Sequence, residues 1–545
     1  MLTESFKNRT MQETLKQKVP GSGGEATQLQ AEDLYIWSTF NDYEKQTNEG
    51  FRPRKDRPAV RLVVPIDWAL SPFEDSNWLF HLHSWRMIDP IMKEWFARPN
   101  SALVEEMWSY AADWWRYHKN GGRCAMSWYD MAVGVRAIRL AFFLQLHRDG
   151  QLTLSAADQT TLAELVNAHA ADLRDPAKLA RSNHGIFQAV GYRLLGRQAP
   201  ACELLADSEV GSAAYMQEIL DAQYTPEGIQ KEHSPGYHIW VSGLLRDLRV
   251  AEWFAEVPLI TQRVQAAIEN QGWFIQSDGV VARIGDTRAR REPPKSLSPS
   301  PGWETNEYAV GDFSKSGWII IRSRPQVPIE QQSMLFFTAM AHSYTHKHAD
   351  DLSFEWFDRG RRILIDSGLY SFHRDEMRHY VETSAAHNTV DFADRSIGRS
   401  DTAPYGSGLA APQFAEDGFV LSGKVCKRAK KFDHSRRLIW KPGRSLAISD
   451  HLVAEKTYKF VSRLHFDTNL TLHNLGADIV AAFRGRAIAK IVPPSEASVQ
   501  IVRAREGDLL GWESPDYRVI KPVSVIEAYL PEQLEMISEW TLTLI

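Results

Sequence analysis

His346-Lys347-His348-Ala349-Asp350-Asp351-Leu352-Ser353-Phe354-Glu355-Trp356-Phe357 runs into a turn at Asp358-Arg359-Gly360 and leaves it through Arg362-Ile363-Leu364-Ile365-Asp366. Alternation of apolar and polar residues on both sides of the turn predicts a β-hairpin. Ser367-Gly368 and then Ala386-His387-Asn388-Thr389 follow. Alternate residues of an extended chain face the same way, so His346 and His348 are expected to share one face of a strand. Side chains on neighbouring strands converge, and two histidines with one carboxylate are a common metal set. The segment is read as a functional site on a β scaffold, holding either a metal ion or a hydrogen-bonded cluster.

Working outward, the surrounding sequence has the same texture. Trp318-Ile319-Ile320-Ile321-Arg322, Met334-Leu335-Phe336-Phe337-Thr338, Phe419–Val425, Arg437–Trp440 and Leu446–Ser449 are short strand-like runs, with a turn at Lys441-Pro442-Gly443-Arg444. Many short strands at close spacing predict an antiparallel sandwich. Upstream, segments near 101–119, 127–148, 155–174, 182–197, 211–224, 234–254 and 259–276 have the length and apolar spacing of amphipathic helices. Ser155, Ser182 and Ser234 are N-cap candidates, the last with Pro235 at the first helical position. Short connections favour antiparallel helix hairpins, although no sharp repeat is visible. Arg290–Gly302, rich in Pro and Ser, reads as a linker or long surface loop. The expected fold class is multidomain α+β, with a helical domain over 1–310 and an antiparallel β-sandwich over 311–545.

Composition narrows the function. A chain of 545 residues exceeds one typical core. With 18 Trp, 17 Tyr and 24 Phe it is rich in rings, which suit sugar faces as well as cores. A net charge of −5 gives no global reason to bind nucleic acid or an anionic membrane, so an anionic substrate needs a local basic cleft. Cys124, Cys202 and Cys426 are too widely spaced for a zinc knuckle or a disulfide framework. The polar start Met1–Thr10 lacks the apolar core of a secretory signal, and no apolar run is long enough to span a bilayer. As written the chain is expected to be cytoplasmic, or periplasmic or secreted if a leader has been removed. The region before residue 100 matches no motif.

Two constellations lie in the helical part. Ser182-Asn183-His184-Gly185 sits at a helix start, where backbone amides are free to face a cleft, though Ser182 or Asn183 serves equally as a plain cap. Glu227-Gly228-Ile229-Gln230-Lys231-Glu232-His233-Ser234-Pro235-Gly236-Tyr237-His238 crowds titratable groups around the next helix start, beyond what packing needs. Elimination from a uronic acid residue is one chemistry that uses Asn, Tyr and His together. An amide or imidazolium neutralises the carboxylate, a base takes the C5 proton, and an acid protonates the departing oxygen at C4. Tyrosine as a base would need its pKa lowered by about three units, roughly 4 kcal/mol. His184, His233 and Lys231 are the expected neighbours for that; as an acid, Tyr237 needs no such help.

Asn183-His184-Gly185, Ser234-Pro235-Gly236-Tyr237-His238, the His346–Phe354 block, Ile365-Asp366-Ser367-Gly368-Leu369-Tyr370 and Ala386-His387-Asn388-Thr389 occur in this order. Together they resemble the heparinase II/III-like superfamily of polysaccharide lyases. Trp128-Tyr129-Asp130 with Arg136 is similar to that family's aromatic-acidic-arginine helix, and Ile284-Gly285-Asp286-Thr287 to its Gly-Asp segment. The resemblance implies an incomplete α/α toroid joined to the β-sandwich. It implies that Asn183, with His184, neutralises the uronate carboxylate, that Tyr237 is the acid or both acid and base, and that His346 is the partner base. It further implies that His348, Asp366 and His387 hold a structural divalent metal, zinc in most members, with Mn²⁺ or Ca²⁺ as alternatives. Trp128, Arg136, His233, His238, Arg288, Tyr370 and Arg378 are expected to touch substrate.

The expected partner is an anionic polysaccharide or oligosaccharide: a glycosaminoglycan, or alternatively an alginate-like polyuronate. Arg283, Arg288, Arg290, Arg291, Arg374 and Arg378 are candidates for bidentate contacts to carboxylate or sulfate, or are a solvated surface. Two rivals remain. His348, Asp350 and His387 also read as the facial triad of a non-haem iron oxygenase. Asp130, Asp286 and Glu232 include possible pairs for a uronyl hydrolase.

Overall fold

Capping chemistry sets the helices. Asn100, Ser155 and Ser182 each accept a backbone N–H from the first turn they precede, at Leu103, Asp158 and His184. The helices that follow are Ser101–Lys119, Ala156–Arg174 and Asn183–Gln198; Asp130–Arg148 and Ser208–Gln223 complete the main set. The computed structural model describes residues 27–37, 42–304, 307–427, 432–476 and 478–545, so Met1–Thr10, read for a leader, lies outside the described residues. Three shorter helices, Tyr43–Glu49, Ser76–His83 and Ile88–Ala97, occupy the stretch before residue 100. The span expected as one helix at 234–254 is two, Pro235–Asp247 and Val250–Trp253, because Arg249 takes a left-handed φ of 49°. The span at 259–276 ends as a 3-10 turn, Asn270–Phe274.

Contacts group the chain into two units. The first runs to Gln223 and takes in Gly243–Val264; the second holds Tyr224–Ser242 and Gln265–Ile545. Secondary structure changes from helix to strand at Tyr308–Phe313, the first strand.

In the first unit, Asp130–Arg148 and Asn183–Gln198 are buried almost all round, rather than on the one face that an amphipathic helix would bury. They cross at glycines. A Cβ on Gly134 would lie 2.5 Å from the Gln188 nitrogen, and one on Gly191 would lie 2.6 Å from the Gly134 oxygen. Only hydrogen fits there.

In the second unit, five antiparallel strands pair in the order Tyr308–Phe313, Trp318–Ser323, Met334–Thr338, Phe354–Asp358, Arg361–Leu364. An eight-stranded sheet is centred on Gln533–Leu544, Ser445–Tyr458 and Phe432–Lys441, and a four-stranded sheet on Ser524–Tyr529 and Phe460–His465. Ile319, Ile321 and Phe337 meet Leu438, Trp440 and Ile448 of the larger sheet and Leu464 and Ile526 of the smaller one in a shared core. The alternate residues Trp318, Ile320 and Phe336 pack the other way, on Trp273, Phe274 and Ile284. Burial on both faces is why Trp318–Ile321 reads as an unbroken apolar run. The Pro/Ser stretch Arg290–Gly302 is a surface loop pinned to this unit: Arg291 bridges Val280, and the Ser300 amide donates to the Val310 carbonyl at 2.8 Å. Among the described residues no helix is long and apolar enough to cross a membrane.

Replacing Gly134 by alanine is expected to destabilise the protein by about 1–3 kcal/mol or more, since the backbone opposite must move. Gly507, whose Cβ position is open, should accept alanine within about 0.5 kcal/mol. Thermal unfolding of the two variants checks this contrast.

Candidate active site

Hydroxyl and glycine contacts assemble the site in the second unit. Ser234 caps the helix Pro235–Asp247 by accepting the Tyr237 amide at 3.2 Å. Its hydroxyl also donates to the Asp286 carbonyl at 3.0 Å and meets the Thr287 hydroxyl at 2.8 Å. Gly285 has φ 55°, and a Cβ there would strike the carbonyl oxygens of His233 at 2.4 Å and His346 at 2.8 Å. The Ser-Pro-Gly-Tyr and Gly-Asp-Thr elements are thus one constellation, and glycine is what lets it close.

Asp286 stands at its centre. The His346 Nδ1 lies 2.9 Å from one carboxylate oxygen, the His348 Nε2 lies 2.9 Å from the other, and the Arg378 guanidinium grips both. Burial alone would raise the Asp286 pKa, but these donors outweigh it and hold the group well below the usual carboxylate range. An ionised carboxylate only accepts, so His346 carries its proton on Nδ1 and leaves Nε2 free to act. Glu232 faces that Nε2 at 3.7 Å, and burial raises its pKa.

The Tyr237 ring stacks on the His346 imidazole, with centroids 3.6 Å apart and planes 19° apart. Burial, with the nearby Asp286 and Glu232 charges, pushes the Tyr237 pKa up to about 12. The phenol therefore stays protonated at neutral pH. An imidazole with a free Nε2 and a protonated phenol in ring contact can take and give protons on one small substrate group.

His346 is aimed by strain and by a neighbouring ring. It sits at φ 54°, in a loop rather than on the expected strand. His233, itself at φ 61°, lies 2.8 Å from the Thr345 carbonyl through Nδ1, while its Nε2 accepts the His342 amide at 2.9 Å. Burial lowers the His233 pKa to about 3, so it is a neutral strut that fixes the segment leading to His346.

His348, Asp366 and His387 are fully buried, and one ligand atom from each lies within 4.8 Å of the others. His348 Nδ1 and His387 Nε2 are buried with no hydrogen-bond partner. Two orphaned imidazole nitrogens beside a carboxylate fit a cation. The bond from His348 to Asp286 is the outer contact that orients a metal-ligating histidine. Asp350 is not in this group; it pairs with the buried Lys347, so the facial-triad reading does not hold.

The residues 4–291 match the family model described as heparinase II/III N-terminus, and residues 305–527 match heparinase II/III-like, C-terminal. The chain belongs to the heparinase II/III family. It is a polysaccharide lyase. Its fold is heparinase III-like, with a helical first part and a sheet-rich second part. A mutant heparan sulfate lyase HepC from Pedobacter heparinus is similar at 15% identity and TM-score 0.68, over 98% of this chain and 87% of that one. A heparinase III with methylated lysines gives 15% identity and TM-score 0.69, over 99% and 89%. A further heparinase III gives 14% and 0.63, over 99% and 89%. No curated protein sequence matches the chain.

Within this lyase the other expected residues fall into two groups. Arg288 is exposed over the Tyr517 ring at 4.9 Å, Tyr370 is half-buried, and Arg378 is held by Asp286 and Glu382. His238 is fully buried, with Nε2 at the Ala267 carbonyl and Nδ1 accepting the Gln230 amide. His233 and His238 therefore have no nitrogen left for substrate, against expectation. Arg136 is likewise buried, bonded to His169 and the His83 carbonyl and stacked over Trp114 at 4.3 Å, while Trp128 is half-buried and donates to His118. His233, His238 and Arg136, buried and bonded within the protein, arrange it rather than face a ligand, whereas Trp128 keeps some exposure. Asn183 and His184 lie in the first unit, at the start of Asn183–Gln198, both half-buried, with His184 Nδ1 3.1 Å from Asp130. Burial and the Asp286 and Glu232 carboxylates outweigh the phenolate-stabilising effect of Arg288 and Arg378 on Tyr237, so the shift runs opposite to the one a base would need. Asp286, bonded on both oxygens, offers no acid for a hydrolase pair. Its central role left only the Gly-Asp signal in the sequence, and the position of Glu232 beside His346 left none.

Neutral buried histidines make an acid-side prediction. His233 and His238 have pKa values near 3 and 4 in the fold, below the ordinary histidine value. Unfolding takes up protons below about pH 6.5, so stability should fall as pH drops from there toward 4. Melting temperature against pH measures the slope, and His238→Gln should flatten it.

Proposed function

We propose that this lyase cleaves uronic-acid-containing glycans, a glycosaminoglycan first and an alginate-like polyuronate as the alternative, by β-elimination to 4,5-unsaturated products. The observation that carries the reading is the stacked Tyr237–His346 pair, one partner with a free Nε2 and the other a phenol held protonated. His346 takes the C5 proton of the uronate. Electrons of the C5–H bond form the C4–C5 double bond as the C4–O bond breaks, and Tyr237 gives its proton to the leaving oxygen. No water is consumed. The carboxylate-neutralising role of Asn183, with His184, rests on the sequence resemblance. The family membership and the heparan sulfate lyases of like fold support the glycosaminoglycan as substrate. We also assign the helical part to an incomplete α/α toroid and the sheets to an antiparallel sandwich.

His348, Asp366 and His387 are proposed to hold a structural divalent ion, zinc before manganese or calcium. Such an ion would brace the loop that presents His346, two residues away, through charge rather than redox chemistry.

Ultraviolet absorbance of unsaturated uronate, followed with hyaluronan, chondroitin sulfate, heparan sulfate and alginate, tests the reaction. The signal is expected on at least one polymer and should fall by about 10²–10⁴-fold in Tyr237→Phe, the range of a lost general acid. Full activity in that variant would remove Tyr237 from the chemistry. No signal on any polymer would remove the uronate reading. Metal analysis of the purified protein should find about one ion per chain, lost with a drop in melting temperature in His387→Ala. Equal metal content in both proteins would reject the site.

A further inference from the structure

Among the described residues six aromatic side chains are strongly exposed: Trp37, Trp240, Tyr344, Phe372, Phe414 and Tyr517. Single exposed rings are ordinary, but four of these six gather around one catalytic pair. Trp240 lies edge-on to Tyr237 at 6.0 Å, and Phe372 lies edge-on to His346 at 6.1 Å. Tyr517 is 6.2 Å beyond Phe372. Tyr344 is two residues before His346.

Two cavities of the second unit meet at the pair. One, of about 590 Å³, is lined by Tyr237, Trp240 and Arg288; the other, of about 410 Å³, by His346, Tyr344 and Arg374. Asp286 and Phe372 line both, so the two are halves of one cleft. Both sizes suit a bound ligand. Their charges are selective. Arg378 and Arg399 are both tied to Glu382, at 2.7 and 3.0 Å. Arg288 and Arg374 are exposed and have no acidic partner among the described residues. Each half therefore offers one bare ring and one guanidinium outside any salt bridge, that of Arg288 lying over the Tyr517 ring.

We propose that the cleft grips an acidic polysaccharide on both sides of the bond to be cut. Trp240 and Arg288 take a sugar face and its anionic group on one side, and Tyr344 and Arg374 take them on the other. Phe372 fills the seam beside His346. Aromatic faces pack on the C–H faces of pyranose rings, and guanidinium groups pair with carboxylate or sulfate. The ligand class is a chain carrying negative charge on both sides of the scissile linkage, so a substrate with a neutral flank on either side binds less well. The assignment rests on the uronate-lyase reading for the position of the cut, but not for the binding itself.

Two measurements separate the ideas. Steady-state kinetics on the polymer that gives an unsaturated signal should show KM raised about tenfold in Trp240→Ala and in Tyr344→Ala, with the smaller part of the loss in kcat. Trp240→Phe should regain most of it. Arg374→Ala should raise KM and weaken its dependence on salt. Calorimetric binding of the same polymers to the Tyr237→Phe protein reads affinity without turnover and should show the same ranking. Values within about twofold of the parent in both Trp240→Ala and Tyr344→Ala overturn the cleft while leaving the lyase reading intact. Ring-dependent binding without any unsaturated product in the parent overturns the uronate reading and keeps the cleft. No binding and no product on any of the four polymers overturns both.

Discussion

The Asp286 carboxylate is the contact on which the rest of the second unit's chemistry depends. It is buried, and its two oxygens serve two histidines and a chelating arginine. A buried carboxylate without partners is strongly unfavourable, and a buried arginine left alone costs about 3–5 kcal/mol. The cluster is therefore stable only when complete. Because the His346 Nδ1 and the His348 Nε2 share this one acceptor, the orientation of the base and that of the metal-site histidine are set together. Movement of either ring changes the field felt by the other.

Around that centre the polypeptide accepts backbone conformations that side chains rarely favour. His233, Gly285 and His346 all have positive φ, and they touch one another through carbonyl and ring contacts. Strain of this kind persists where the surroundings over-determine it, here through the Ser234 and Thr287 hydroxyls and the buried His233 ring. The same burial that holds the strain raises the Tyr237 phenol, so the acid of the pair is kept loaded by its environment. Burial and the Asp286 and Glu232 carboxylates outweigh the nearby Arg288 and Arg378 guanidinium groups, which explains why a base role for tyrosine finds no support in the charge pattern.

Much of the architecture was legible in one dimension. Caps at Ser155, Ser182 and Ser234 and periodic apolar residues gave the main helices nearly to their ends, because N-cap hydrogen bonds are local. The strands at Trp318, Met334, Phe419 and Leu446 were equally clear, since pleat alternation and apolar runs are local too. The H-x-H segment misled in one respect. Period-two spacing suggested a strand, whereas Gly285 and His233 press the chain into a loop there. Histidines also carry no sign of their burial: His233 and His238 looked like ligands and proved to be struts.

The sequence by itself determined the order of helices and sheets, the family, and the residue types of the acid–base pair and metal cluster, because those are written in local pattern and in motifs. Tertiary structure alone decided which atoms act. His346 Nε2 is free because Asp286, 60 positions away, takes Nδ1. Tyr237 is an acid because burial and two carboxylates raise it. Trp240, Tyr344, Phe372 and Tyr517 emerged as one group only when the fold left them bare beside the same pair. Burial, electric field and exposure are sums over neighbours distant in the chain, and no local pattern encodes them.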